Sequence, residues 1–295
     1  MYDLSALYQA QTVAQAVELR LAHPEARIIA GGTDVLVQMR EGKLAGAALI
    51  SIQGIDALRG VSLEEDGTLR IGSLATFTKL SAHPLIRQYI PVLGEAVDQV
   101  GGPQIRNAGT IGGNTCNGVT SADSASTLFA WDALVELTGK NGVRRVPIQD
   151  FYIRSGVVDL RGEEGEIQTA ILIPRESYAH TFGFYIKYAM RNAMDIATLG
   201  TSVNVRLSPD KKTFERVRIA FGVAGPVPLR ARQAEESIRG REVSPEAVEA
   251  CSRAVLQDIA PRDSWRASKA FRQHIAVECT RRCLMESVKR VGGDL

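Results

Sequence analysis

The sequence predicts an α+β fold in three consecutive units, on three observations. Helix-like and strand-like periodicities alternate in short segments. Two glycine-rich segments, Ala30–Asp34 and Gly101–Ala125, interrupt that alternation. Beyond Pro174, which punctuates the chain, strands come first and helices follow. The expected organisation is a small N-terminal α/β unit over residues 1–55, a larger mixed α/β unit over 56–176, and a C-terminal unit over 177–295 made of a short antiparallel sheet with helices.

The first unit opens with a helix, marked by Thr12 as N-cap, Gln15 three residues on, and Val13, Ala16, Val17 and Leu21 at helical spacing. A strand over Arg27–Ala30 runs into Gly31, Gly32, Thr33 and Asp34, then into the helical run Val35, Leu36, Met39, and a strand over Ala48–Ile52 closes the unit. In the second unit Leu69–Gly72 reads as a strand, and Phe77–Leu80 and Val92–Val100 as helices. The glycine stretch reads as a loop, and Leu128–Ala133 as helix. Leu134–Thr138 and Val143–Val146 pair as a hairpin around Lys140-Asn-Gly142, and Ile167–Ile173 is the last strand. In the third unit Phe182, Phe184, Ile186 and Tyr188 alternate with Gly183, Tyr185 and Lys187, a half-buried strand with Lys187 on the other face. Strands over Thr201–Leu207 and Arg216–Val223 follow, then helices over Gln233–Arg239, from the Ser244 cap with Pro245, and from Ser264 to about Lys289.

At 295 residues, 45% hydrophobic and 23% charged, the composition is that of a globular chain. A net charge of +2, with both signs interspersed, gives no footprint for nucleic acid or an anionic membrane. The N-terminus lacks the basic and apolar regions of a signal peptide, and no apolar run approaches the roughly 20 residues that cross a bilayer. A soluble, cytoplasmic protein is expected. Cys116, Cys251, Cys279 and Cys283 are too few for a disulfide framework. Cys279 and Cys283 share a helix face and read as core residues, and His23, His83, His180 and His274 are scattered singly, so no metal site is expected.

The chemistry is concentrated in the glycine segments. Backbone without Cβ atoms can bring several N–H groups to one oxygen-rich ligand, and a turn before a helix favours negative charge, which makes pyrophosphate the natural ligand. Neither segment fits a G-x-G-x-x-G or G-x-x-x-x-G-K-[ST] template, which argues against Rossmann and P-loop folds.

At this order and spacing the segments resemble the FAD-binding subunits of the molybdenum hydroxylase family. Ala30-Gly-Gly-Thr-Asp34 resembles the first flavin motif, and Thr110-Ile-Gly-Gly-Asn114, with Asn117 and Asp123 after it, the second. The resemblance continues through Glu166-Ile167, Phe184–Arg191 and Asp195–Gly200 and covers essentially the whole chain. Gly102–Asn107, Thr120–Ser124, Asp258–Arg262 and Ser264–Lys269 resemble the bacterial xanthine dehydrogenase branch.

The resemblance implies that residues 1–176 form a two-part FAD-binding domain. The cofactor-binding residues it implies are Arg27, Ile28, Ile29, Ala30, Gly31, Gly32, Thr33 and Asp34, then Gly109, Thr110, Ile111, Gly112, Gly113 and Asn114, with Asn117, Asp123, Ile167, Ile186 and Lys187. Taken alone, Asn117 and Asp123 also read as turn or capping residues, and Lys187 as a solvated cation. The family places Lys187 near the flavin, and Arg191 to Asp195 in a loop that controls nicotinamide access. Val100 stands where animal members set an aromatic against the flavin. The resemblance further implies a molybdenum-binding large subunit and a small subunit with [2Fe-2S] clusters, joined in a heterotrimer or its dimer. Molybdopterin and the clusters belong to those partners, and electrons pass through FAD to NAD+. Two alternatives remain: a relative acting on another heteroaromatic, an aldehyde or carbon monoxide, and a non-redox nucleotide-binding scaffold of the same fold.

Overall fold

The computed structural model describes residues 2–295, along which three main sheets follow one another. In the first, β1 (Leu4–Gln9), β2 (Arg27–Ile29) and β3 (Ala47–Ser51) run parallel in the order β1-β3-β2. Parallel strands need crossovers, and the helix Val13–Ala22 connects β1 to β2. The Thr12 hydroxyl accepts the Gln15 N–H at 3.1 Å, and the Gln15 side-chain oxygen accepts the Gln11 N–H at 2.8 Å. The sequence predicts this helix as the opening element, whereas β1 precedes it. That strand keeps Leu4 and Leu7 exposed and pairs with the distant β3, so no clean alternation marks it locally.

The second unit contains β4 (Val61–Leu63), β5 (Leu69–Gly72), β6 (Leu134–Gly139), β7 (Gly142–Pro147), the small pair β8 (Tyr152–Arg154) and β9 (Val157–Val158), and β10 (Ile167–Ile173). Its antiparallel sheet has the order β4-β5-β10-β6-β7. All seven residues of the central β10 are buried, and the segment carries no charge.

The glycine stretch predicted as a loop is largely helical. The helix Pro103–Ala108 starts on proline, and Ile111–Cys116 is capped by Thr110, whose hydroxyl accepts the Gly113 N–H at 3.1 Å. Glycine here serves close packing. A Cβ on Gly112 would lie 2.6 Å from the Ser73 Cβ and 2.7 Å from its carbonyl oxygen, so only glycine lets this helix rest on the end of β5. A Cβ on Gly31 would lie 1.9 Å from the Ala108 carbonyl oxygen. The two glycine segments therefore meet backbone to backbone and join the first unit to the second.

The third sheet runs antiparallel in chain order, β11 (Phe182–Tyr188), β12 (Leu199–Leu207), β13 (Phe214–Gly222) and β14 (Leu229–Arg230). The helices Arg232–Ile238, Pro245–Ala254 and Lys269–Arg290 bury Ile238, Cys251, Cys279, Cys283 and Leu284 in one core with Val203 and Phe221. The helix Asp123–Ala130 also packs on β12 and β13, and all eight of its residues are buried. Its N-terminal Asp123 bonds Tyr185 and Lys187 of β11, and its Ala130 carbonyl accepts from the Asn204 amide of β12 at 2.9 Å. Lys187 lies on the face opposite Phe184 and Ile186, as the alternation predicts, but that face is covered and Lys187 is not solvated. Lys187 and Tyr185 share a covered face, while Phe184 and Ile186 pack on the C-terminal core, so alternation along this strand does not separate inside from outside.

Gly31→Ala is expected to lower the unfolding free energy by about 1–3 kcal/mol, the range for forcing an overpacked contact. Urea titration followed by circular dichroism measures it. An unchanged midpoint would mean that the two segments part without cost.

Candidate functional site

A cleft of about 420 Å³ opens at the junction of the first two units. One wall is the turn from β2 into the helix Val35–Arg40, and the other is the Thr110 cap with the helix it starts. Gly32, at φ +73°, takes the left-handed conformation that turns the chain out of β2. Within this turn no acceptor among the described residues meets the N–H groups of Gly31, Gly32, Thr33 and Asp34.

The second segment differs. The N–H groups of Ile111, Gly112 and Gly113 are bonded to the Ala75 carbonyl (3.0 Å), the Ser73 carbonyl (2.9 Å) and the Thr110 hydroxyl (3.1 Å). The sequence argument expected both segments to present backbone donors. In the structure the first does so, and the second holds its own helix against β5. What Gly113 presents to the cleft is bare surface: a Cβ there would have only the Thr110 hydroxyl near it, at 3.0 Å.

Side chains beyond the sequence-derived candidates, Arg20, Ser73 and Gln168 among them, complete the walls. Arg20 lines the cleft, as does the sequence-derived candidate Arg27. Arg20 donates to the Ala26 carbonyl at 2.6 Å, yet its Nε is buried without a partner, and burial, with the Arg27 charge second, holds its pKa below the ordinary arginine value. Ser73 Oγ and Gln168 Nε2 are likewise buried without a partner. Between these polar points run Ile28, Ile52, Phe77, Ile105, Leu160 and Ile167. The Cys116 thiol bonds the Gln168 side-chain oxygen at 2.9 Å, and burial pushes its pKa up to about 12, so it is an uncharged packing group.

Of the sequence-derived candidates, Arg27, Ile28, Ala30, Gly31, Gly32, Thr33, Asp34, Gly109, Thr110, Gly112, Gly113, Asn114, Asn117 and Ile167 line this cleft. Ile29, Ile111, Asp123, Ile186, Lys187, Arg191 and Asp195 are not among its lining residues. Ile111 is fully buried in the core behind it. Asp123 accepts from the Tyr185 hydroxyl at 2.8 Å and pairs with Lys187 Nζ at 2.8 Å, while Lys187 also donates to the Gln99 carbonyl at 2.9 Å. Burial raises the Asp123 carboxyl above its ordinary range against the pull of Lys187. Lys187 is thus an internal cation next to Val100, which does line the cleft.

Asp195 organises its loop. Its carboxylate accepts the Arg191 N–H at 3.0 Å and the Ile196 N–H at 2.9 Å, with the Arg191 and Arg266 guanidinium groups each at 3.5 Å. Burial pushes this carboxyl up, but those bonds and the Arg191 charge outweigh it and hold it below the usual range. The Met194 thioether of the same loop lies beside Gly102, at the start of the helix that carries Ile105 into the cleft.

A cleft lined by a glycine turn with unbonded N–H groups, by arginines and by apolar side chains suits a nucleotide cofactor. Residues 2–176 match the family described as the FAD binding domain in molybdopterin dehydrogenase, and residues 184–287 match the CO dehydrogenase flavoprotein C-terminal domain. The chain belongs to the FAD-binding subunit family of the molybdenum hydroxylases. It is 43% identical over 295 residues, the whole of both chains, to the xanthine dehydrogenase FAD-binding subunit of Escherichia coli O157:H7. It is 34% identical over 224 residues, 76% of this chain and 75% of the relative, to the nicotinate dehydrogenase FAD-subunit of Eubacterium barkeri. Among solved structures, carbon monoxide dehydrogenase from Hydrogenophaga pseudoflava matches with a TM-score of 0.90 at 29% identity, covering 99% of each chain. Among the described residues, no helix is long and apolar enough to cross a membrane.

Lys187→Met leaves a buried carboxylate without its counter-ion and is expected to cost about 3–5 kcal/mol of stability. The double variant Lys187→Met with Asp123→Asn removes that charge and should recover most of the loss, as read by urea unfolding. If the single variant is as stable as wild type, the pair is not what ties the helix Asp123–Ala130 to β11.

Proposed function

We propose that this chain is the flavin-carrying subunit of a molybdenum-containing xanthine dehydrogenase, relaying electrons from [2Fe-2S] clusters on a small partner subunit, through FAD, to NAD+. A molybdenum-binding large subunit would carry the molybdopterin and the purine chemistry, in a cytoplasmic heterotrimer or its dimer. The observation that carries the reading is the turn of unbonded N–H groups at Gly31–Asp34 in a cleft that Arg20, Arg27 and apolar side chains also line. The full-length identity to a xanthine dehydrogenase flavin subunit supports the choice of branch.

The residues present fit FAD. The Gly31–Asp34 N–H groups supply donors for a pyrophosphate, and Arg20 and Arg27 are cations lining the same cleft. The buried, unpartnered Ser73 Oγ and Gln168 Nε2 are polar groups that a ligand in the cleft would satisfy. Ile28, Ile52, Leu160 and Ile167 provide apolar contact for ring systems. Bound FAD supplies the redox chemistry, accepting single electrons and delivering hydride. The chain binds, orients and excludes water. Asn114 and Asn117 present amides to the cleft, and the Asn114 oxygen is already engaged by the Ser124 hydroxyl at 2.6 Å, which fixes its rotamer. Arg191, Asp195 and Met194 shape the loop beside Gly102, and we assign that loop to acceptor access, with Asp195 as its positioning residue.

Purified protein is expected to hold about one non-covalent FAD per chain, identified by acid extraction and chromatography. Gly113→Val puts a branched side chain into the cleft where nothing else blocks it. It should remove most of the FAD while leaving the far-UV circular dichroism unchanged. Full flavin occupancy in this variant would reject a ligand at that wall.

In the assembled complex, Asp195→Ala should slow NAD+ reduction at least tenfold more than reduction of an artificial dye, with cluster reduction by substrate intact; loss of one charge-assisted anchor is of that size. Parallel loss of both activities together with FAD would make the loop a folding element instead.

A further inference from the structure

A second cleft, of about 480 Å³, lies between β13, the Asp132 turn and the helix Arg232–Ile238, and shares no residue with the first. Six arginines line it, Arg206, Arg216, Arg218, Arg230, Arg232 and Arg239, against four carboxylates. Two positive charges are unmatched. The C-terminal end of the helix Asp123–Ala130, whose Phe129 carbonyl accepts from Arg230 at 3.3 Å, offsets only about half a charge.

The pairing pattern locates the surplus. Arg230 holds Glu235 in a two-pronged contact at 2.6 Å on each side and shares Asp132 with Arg218. Arg206 pairs with Glu215, and Arg239 stands 3.8 Å from Glu236. Arg216 and Arg232 have no carboxylate partner among the described residues. Arg216 donates to the Glu176 carbonyl at 2.5 Å and the Thr181 hydroxyl at 3.2 Å, and its Nε is buried without an acceptor. Arg232 donates to the Gln149 side-chain oxygen at 2.6 Å.

This is more than a solvated basic surface. Arg218 and Arg230 are each only 8% exposed, and their carboxylate partners fix their orientation, so the floor of the cleft is pre-organised. Burial holds the Arg218 pKa down to about 10, and burial and Arg206 hold Arg216 below its ordinary value, so the group is under electrostatic stress that an anion relieves. The lining contains no aromatic face on which a nucleobase could stack, which disfavours nucleic acid.

We propose that the cleft is a binding site for a compact dianion, a phosphoryl group either free as phosphate or carried by a small phosphomonoester. Arginine forks match phosphate oxygens two at a time, and a dianion cancels the surplus of two.

The test is calorimetric titration of the full chain with inorganic phosphate and, separately, ribose 5-phosphate, each against sodium chloride of matched ionic strength. Saturable binding at one site is expected, weakened about tenfold in Arg232→Gln and in Arg216→Gln. Arg232 is exposed and bonded to one side chain, so its variant keeps the question open to measurement should Arg216→Gln unfold, which circular dichroism reports. Tighter binding of ribose 5-phosphate assigns the cleft to a phosphomonoester, and tighter binding of phosphate to the free ion. No heat beyond matched chloride, or unchanged affinity in every folded variant, overturns the proposal. Binding of polyglutamate without binding of either phosphate overturns it in favour of an acidic protein partner.

Discussion

The contact between Gly31 and the Ala108 carbonyl decides where everything else can be. No side chain fits between the two backbones, so the parallel sheet of the first unit and the antiparallel sheet of the second are held at a spacing that only glycine allows. The cleft is the space left on either side of that contact. Gly112 on Ser73 repeats the device one helix further on, fixing the wall that Gly113 faces. The glycines at 109, 112 and 113 are structural first: their N–H groups are bonded within the protein, and they shape the cleft by omitting atoms.

Charges inside the molecule are committed to position in the same manner. Glu166 is gripped by Arg144 at 2.5 and 2.8 Å, Asp123 by Lys187 and Tyr185, and Asp195 by two backbone N–H groups. A carboxylate so engaged holds elements in register. That suits a protein whose cofactor supplies the reaction, because the chain then needs a rigid frame more than a reactive group.

The sequence made the long elements and both glycine segments legible, because capping residues and periodicity are local signals. Thr12, Ser244 and the hairpin at Lys140–Gly142 lie where the pattern puts them. It was silent where a residue's role depends on a distant partner. Arg20, Ser73 and Gln168 reach the cleft only through the packing of three separate elements, and no spacing announces that. The edge strand β1 lacked an alternating face. The helical glycine stretch was misread because glycine composition signals turns more loudly than Pro103 and Thr110 signal helix starts. Alternation puts Lys187 on the face opposite Phe184 and Ile186, but it does not show that the helix Asp123–Ala130 covers that face.

The helix Asp123–Ala130 has no face toward solvent, and half of what covers it is made from β12 and β13. During synthesis this helix leaves the ribosome well before those strands exist. Until they arrive, its Ala130 carbonyl has no Asn204 and its Asp123 has no Lys187. A nascent chain stopped after β10 would carry an apolar helix with one side bare, a natural target for a chaperone. The two halves, which look separable when the sheets are counted, are therefore bound to mature together, and the order of translation sets the moment at which this helix is covered.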